Sequence, residues 1–323
     1  MLKKCYAEDI KRISQELEQF NNSFKLAVLA DTHLDNSVGQ TAANIRAVNV
    51  NSEFDCVVHL GDFLNGNLPR YYTKKLLKGQ MDMFRKCTGD KSFFPVQGNH
   101  DGYADLTKTD SYNMAIDEDW YEATDFVDKY QHVMRKRNKP YFYADYPKEK
   151  IRLVILCTFY YTGFYGGQDY NKVYGTDMEQ IQWLEGAALQ IEAGWSVILF
   201  SHDVPFERFD ENACIDNPRV NGNLLMDTVK KAQKENGFDL PAWFAGHFHG
   251  DYIGKVNDIN FIMVASETAY VPQLWPMPMG GYYPPRSLNS KTEDLWDAVV
   301  LDKAARKVRL FRFGAGEDRE LDY

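Results

Sequence analysis

The chain has 323 residues, a formal net charge of −9, 44% apolar residues and 26% charged residues. That acidity argues against a dedicated binder of nucleic-acid backbone, which needs a basic stripe to neutralise phosphates. No run approaches the roughly 18 apolar residues of a membrane helix, and residues 1–10 turn acidic before any apolar core, unlike a secretory signal, so the chain is expected in the cytoplasm. Ile10, Ile13, Leu17 and Phe20 recur at helical spacing and predict an amphipathic helix over 8–20, with no chemistry assigned to it. Residues 26–30 are a short apolar run, partly β-branched, as in a strand buried on both faces. A helix over 40–51 and a second strand over 55–60 follow, with His59 inside that strand as a structural histidine. The next helix, 68–86, opens with Pro69 near a first turn, where its missing N–H costs least. A third strand is expected over 92–97 although Pro95 cannot donate to a ladder.

Residues 105–138 are polar and helix-prone, a candidate cap. His132, followed by Arg135, Lys136 and Arg137, reads as a solvated basic helix end, with substrate contact as the alternative. Residues 141–146 and 151–158 predict a hairpin across Pro147–Lys150. Thr176 and Glu179 have capping-box spacing and open a helix whose apolar face runs Ile181, Leu184, Ala188 and Ile191. A strand over 195–200, a helix over 224–235 and an apolar run over 241–245 come next. The C-terminal region, about 260–323, reads as β structure at 261–265, 295–301 and 308–313, the last two joined by a turn over 302–306. Between them, 270–285 is rich in proline and aromatics and reads as a packed irregular loop or an aromatic wall near a site. The five cysteines are odd in number and lack C-x-x-C spacing; Cys56, Cys87 and Cys157 sit in or beside apolar stretches as buried thiols. Motifs spread over most of the length favour one domain over 1–323.

Five of the seven histidines stand in short polar clusters that each follow an apolar run. The clusters are Asp31-Thr32-His33, Gly61-Asp62, Gly98-Asn99-His100-Asp101, Ser201-His202-Asp203 and Gly246-His247-Phe248-His249. In an open α/β sheet, residues just past the carboxyl ends of strands converge on one crevice. Asp-x-His after a strand is more often turn chemistry than a metal site when it stands alone; the series of five is what points to metal.

With these motifs the chain resembles the calcineurin-like metallophosphoesterase superfamily, whose signature is D-x-H, G-D, G-N-H-[DE], H and G-H-x-H in that order. All five are present in order from Asp31 to His249, roughly two-thirds of the chain. The resemblance implies an α/β fold, a four-layer αββα sandwich of two mixed β-sheets flanked by helices. It assigns Asp31, His33 and His249 to one metal ion and Asn99, His202 and His247 to the other, with Asp62 bridging. Residues i and i+2 of an extended turn point the same way, which suits His247 and His249, and Gly246 allows close backbone approach. Oxygen and imidazole ligands without thiolate suit manganese, iron or zinc. A pair of ions ~3.5–4 Å apart polarises a phosphoester and clamps its attacking and leaving sides.

By the same resemblance His100 is the outer histidine that binds the phosphate or protonates the leaving oxygen, and Asp101 fixes its tautomer. Asp203 and Asp35 are outer partners of the ligands or turn residues. Phe63-Leu64-Asn65 follows Gly61-Asp62; the purple acid phosphatase branch has a tyrosine at the third of these positions, so Asn65 implies a non-purple centre. The expected function is metal-dependent hydrolysis of a phosphomonoester or phosphodiester on a small molecule or nucleotide. A nuclease is the first alternative, disfavoured by charge. A non-catalytic module that keeps the fold is the second, which a missing ligand would signal; every ligand position is filled.

Overall fold

The computed structural model describes residues 3–34, 38–104, 117–161, 172–206, 219–269, 277 and 280–323. The first half alternates helix and strand: α1 (Ala7–Glu18), β1 (Phe24–Leu29), α2 (Val38–Ser52), β2 (Cys56–His59), α3 (Arg70–Thr88) and β3 (Ser92–Pro95). Then come α4 (Asp117–Ala123), β4 (Val133–Arg135), β5 (Phe142–Tyr146), β6 (Ile151–Ile155), β7 (Phe159–Tyr161), β8 (Lys172–Tyr174), α5 (Met178–Trp183), β9 (Ser196–Phe200), α6 (Gly222–Asn236) and β10 (Trp243–Ala245). The chain closes with β11 (Tyr252–Val256), β12 (Ile259–Met263), β13 (Leu295–Asp302), β14 (Lys307–Gly314) and β15 (Arg319–Asp322).

Two large sheets result. The first has the order β15-β14-β13-β1-β2-β3 and the second β11-β12-β10-β9-β6-β5-β4, while β7 and β8 form a separate pair. β1, β2 and β3 are mutually parallel, with Val28 opposite Val58 and Val58 opposite Phe94. β6, β9, β10 and β12 are also parallel. The second sheet alternates along its strands: Leu153, Ile155, Ile198, Phe200, Phe244 and Ile262 share one apolar core with the first sheet. Their neighbours Val154, Val197, Leu199, Trp243 and Phe261 pack instead under α5 and α6. This is period-2 burial with both faces covered, as parallel strands require, and it gives the four layers that the motifs implied. No helix among the described residues is long and apolar enough to cross a membrane.

Several expectations shift for identifiable reasons. Pro95 ends β3 on the outer edge of its sheet, where the missing donor disrupts no inner ladder. Asp177, not Thr176, caps α5 by accepting from the Gln180 amide at 2.7 Å. The α-helix stops at Trp183 and passes into one π turn, Leu184–Ala188; Ile181, Leu184 and Ala188 are buried, with Ile191 partly buried against them. The described part of 105–138 is not one helical stretch: it holds α4 and the edge strand β4, and 105–116 lies outside the described residues. Nor does His132 end a solvated helix. It leads into β4 half-buried, 3.3 Å from Ser92 Oγ and against the rings of Tyr146 and Phe94. Arg135 is buried over Tyr121 with Thr124 and Lys139 carbonyls as acceptors. β11 and β15 add to the strands expected. Asn257 and Asp258 both take left-handed φ, 49° and 64°, and so make the two-residue turn of a β11–β12 hairpin. β15 is a short, charged edge strand, whose sequence carries little strand signal. Cys56 and Cys87 are buried free thiols, and Cys157 is buried beside Gln97 and the Phe159 carbonyl. Most of 270–285 and all of Cys214 and Asp35 fall outside the described residues.

Candidate metal centre

Asp31 follows β1 by two residues, Asp62 follows β2 by three, Asn99 follows β3 by four, and His202 follows β9 by two. His247 and His249 follow β10. With His33, four residues past β1, all seven candidate ligands therefore leave the carboxyl ends of parallel strands, β1, β2 and β3 of the first sheet and β9 and β10 of the second, as the crevice rule requires. Neighbouring loops bond to one another: the Asp31 amide donates to the Gly61 carbonyl (3.0 Å), His33 to Asp62 (3.0 Å) and Gly246 to His202 (2.9 Å). Close approach depends on two glycines. A Cβ on Gly98 would lie 2.0 Å from the Asp62 amide nitrogen, and one on Gly246 would lie 2.9 Å from Asp31 Oδ2.

Five of the seven candidate ligands take left-handed backbone: Asp31 (φ 56°), His33 (45°), Asp62 (57°), His247 (71°) and His249 (59°). Non-glycine residues held there cost of order 1–3 kcal/mol each and cluster at functional sites. The last motif is thus not the extended turn that its spacing suggested. Both of its histidines are turned inward by backbone that an isolated peptide would avoid.

The side-chain atoms converge. Asp31, His33, Asp62 and His249 form one group whose ligand atoms lie within 4.8 Å of one another, and Asp62, His202 and His247 form a second. Asp62 belongs to both, which is the arrangement of a bridge. Asp62 Oδ2 stands 3.2 Å from His202 Nε2 and 3.7 Å from His33 Nε2. Asn99 Oδ1 joins the second group at 3.0 Å from His202 Nε2.

Hydrogen bonding fixes which ring atoms are free to bind. A carbonyl can only accept, so Nδ1 of His202 donates to Leu60 (2.8 Å) and Nδ1 of His33 donates to Leu64 (3.1 Å). In its neutral form each ring turns its Nε2 lone pair inward. There His33 Nε2 meets His249 Nε2 at 3.2 Å, and His202 Nε2 meets His247 Nδ1 at 3.3 Å. Asp31 Oδ1 and Asp62 Oδ2 are buried without a hydrogen-bond donor among the described residues. Lone pairs and orphaned carboxylate oxygens packed this closely repel unless protons or metal cations lie among them. The residues present therefore fit two metal ions. Burial opposes a charge on His202, yet the adjacent Asp62 carboxylate outweighs it and raises the pKa to about 9. The field that favours a proton there favours a metal cation equally.

The remaining motif residues divide. His100 stands at the rim, its side chain 34% exposed, with Nε2 4.0 Å from Asp62 Oδ2. Its Nδ1 donates to the Asn65 carbonyl (3.0 Å), so Asn65, not Asp101, fixes the tautomer. Asp101 faces the other way and accepts from four amides: Gly98 (2.7 Å), Phe63 (2.7 Å), Asp62 (3.0 Å) and Leu64 (3.2 Å). It ties the Asp62 loop to the Asn99 loop, a task for which a buried carboxylate with several acceptor sites is suited. Burial, then the charge of Asp62, pushes its pKa well up while those amides pull against the shift. Asp203 is buried in an ion pair with Arg219 at 2.8 Å and belongs to neither ligand group. His59 is fully buried as expected, with Nε2 3.1 Å from Thr32 Oγ1, Nδ1 accepting from the Gly61 amide and its ring stacked on Phe63. Sequence reasoning could not find the carbonyls of Leu60, Leu64 and Asn65, because every residue carries one.

The family model described as calcineurin-like phosphoesterase matches residues 24–251. Among solved structures, a dimetal phosphatase from Danio rerio is similar at 15% identity and TM-score 0.55, over 93% of this chain and 99% of that one. A second protein, TT1561 of Thermus thermophilus, is similar at 8% identity and TM-score 0.47, over 90% and 98% of the two chains. No curated protein matches the chain. The converging ligand atoms and the match over most of the length place this chain in the calcineurin-like phosphoesterase family, the enzymes that hydrolyse phosphoric esters with metal ions.

Proposed function

We propose that this phosphoesterase hydrolyses a phosphomonoester or phosphodiester of a small molecule or nucleotide, with Asp31, His33, Asp62 and His249 holding one ion and Asp62, Asn99, His202 and His247 the other. The observation that carries this reading is Asp62, buried, common to both ligand groups and with Oδ2 aimed between them. Two cations held there supply Lewis-acid polarisation of the phosphoryl group and neutralise charge as it develops. Manganese, iron and zinc all suit oxygen and imidazole donors.

The chain's own residues do the rest. Asp31 and Asp62 bring the negative charge that a metal pair needs, and the carbonyls of Leu60 and Leu64 hold two imidazoles in the tautomer that binds. His100 is the proton donor. Its Nδ1–H stays on the Asn65 carbonyl in either protonation state, so Nε2, which faces the centre, is the atom that gives a proton to the departing oxygen and later regains it. Asp101 acts through the backbone, keeping Asp62 and Asn99 in register.

The net charge of −9 supports a small substrate over a nucleic acid. Buried free thiols at Cys56 and Cys87 suit a reducing compartment and support a cytoplasmic setting. The test is a screen of purified protein across metals and substrates: aryl and alkyl phosphates, nucleotides, phosphodiesters, DNA and RNA. Turnover of a small ester in manganese is expected. Preferential cleavage of DNA or RNA, falling steeply with salt, would replace this reading with a nuclease.

A further inference from the structure

The loop that carries His247 and His249 is anchored at both ends, and its downstream anchor lies outside any motif. Upstream, the Gly246 amide donates to the His202 carbonyl and the His247 amide to Asp31 Oδ2 (3.1 Å), so His247 is tied directly to the centre. His249 has no such tie to a candidate ligand through its backbone; its carbonyl accepts a long bond, 3.3 Å, from the Ser266 amide. Two residues on is Asp251, 1% exposed. Its carboxylate takes both terminal nitrogens of Arg312 (2.9 and 2.8 Å), Nη1 of Arg319 (2.8 Å) and the Ala265 amide (3.1 Å). Its backbone pairs in both directions with Tyr282, at 2.8 and 2.9 Å.

Arg312 is buried and also grips Asp297 of β13, donating from Nε at 2.8 Å and from Nη2 at 3.1 Å; Arg319 pairs with the same carboxylate. Two guanidiniums and two carboxylates thus balance in the interior. Replacing such a set with apolar residues is often neutral for stability, so stability by itself does not require charged groups here. What apolar packing cannot do is fix a carboxylate in plane and distance, as a two-pronged guanidinium does.

We infer that Asp251, Arg312 and Arg319 are positioning residues for His249, setting the affinity of one ion of the pair from strands β14 and β15, beyond the family-matched residues 24–251. His249 keeps φ 59° only while its surroundings over-determine it. Release of Asp251 lets the loop relax toward ordinary backbone and carries the His249 imidazole out of line, while His247 stays tied at Asp31 Oδ2. The inference rests on the ligand assignment proposed above.

The experiment is calorimetric titration of the metal-free full chain with manganese, with bound metal counted by elemental analysis. The wild type is expected to bind two ions and His249→Ala one. Loss of an outer partner of a metal ligand typically costs about 10–100-fold in affinity. Arg312→Met is therefore expected to weaken the binding step that His249→Ala removes by about tenfold or more, to leave the other step within about twofold, and to be partly rescued in Arg312→Lys. Equal weakening of both steps, or no weakening, in variants with wild-type circular dichroism would overturn the positioning role. Should Arg312→Met fail to fold, Arg319→Gln decides by the same criterion, since that side chain lies at the outer edge of the cluster, 10% exposed. Two ions bound by His249→Ala would overturn the ligand assignment and the positioning role with it, whereas one ion there with unchanged Arg variants overturns the positioning role alone.

Discussion

The two sheets bring different chemistry to the crevice between them. The first supplies both carboxylates, the amide Asn99, one imidazole ligand in His33, and the rim histidine His100; the second supplies imidazoles alone, His202, His247 and His249. The loops also differ in how they are held. Those of the first sheet are laced to one another through Asp101 and the paired amides of Asp31 and His33, all within residues 24–104. Those of the second reach outward for support, to Asp31 on the facing sheet and to arginines near the C-terminus. Each proposed ion draws ligands from both sheets. Binding metal is therefore linked to the packing of one sheet on the other, and negative charge in the site is concentrated on one side of that seam.

The largest effect is expected of Asp62→Ala, because Asp62 is the carboxylate common to both groups. Activity should fall by more than the about 10–100-fold typical of an outer partner's loss, with bound metal dropping below that of Asn99→Ala. Elemental analysis and kcat/KM on one aryl ester measure both; equal metal in the two variants would count against a bridge. Next in size is His100→Asn. It should keep both ions and slow an alkyl ester by about 10²–10⁴-fold while barely affecting an aryl ester whose leaving group departs unprotonated. A uniform loss on the two esters would leave His100 only an electrostatic role.

A smaller effect tests the seam itself. Manganese at a hundred times its Kd should stabilise the wild type by about 2.7 kcal/mol per site against unfolding, read as a rise in Tm that chelation reverses. Removing a ligand from either sheet, Asp31→Asn or His202→Ala, should abolish part of that rise; an unchanged rise in both would show that the ions bind elsewhere.

The smallest effect belongs to His59, beside the centre but not in it. Burial holds its pKa well below the ordinary histidine value, so the folded chain keeps it neutral where the unfolded chain protonates it. The depressed pKa contributes stability that is present above the unfolded value of about 6.5 and is lost as pH falls from there toward the folded value, at up to about 1.4 kcal/mol per pH unit. Urea unfolding with chelator at pH 7.5, 6.5 and 5.5 should show a steeper loss of stability toward low pH in the wild type than in His59→Gln, since the other shifted histidines, His33, His132, His202 and His249, are common to both. Parallel curves would mean that His59 does not set it.

Much of the site is legible in the linear sequence. Chemistry placed straight after apolar runs is a linear signal, and Asp31, Asp62, Asn99, His202, His247 and His249 stand where such runs end. The error over Asp101 is instructive: adjacency in sequence suggests a bond to His100, yet the turn there sends the two side chains in opposite directions, and a backbone carbonyl at Asn65 takes the imidazole instead. The error over His132 and Arg135 has a related cause, since a run of basic residues looks solvated until a neighbouring helix and strand cover one of them.

The strands that are buried on both faces, the order of the motifs and the residue types available to bind metal can all be read along the chain. Those follow from local composition, because an apolar run must be buried and an Asp or His at its end must point into whatever space the sheet leaves. Tertiary structure alone decided which ring nitrogens face inward, which residue holds His100, and that Asp251 is gripped by Arg312 and Arg319 from 61 and 68 residues away. Backbone carbonyls are common to every residue, and the partner of a buried charge is chosen by the register of β13, β14 and β15, which pairs Asp297 with Arg312 only once the strands align.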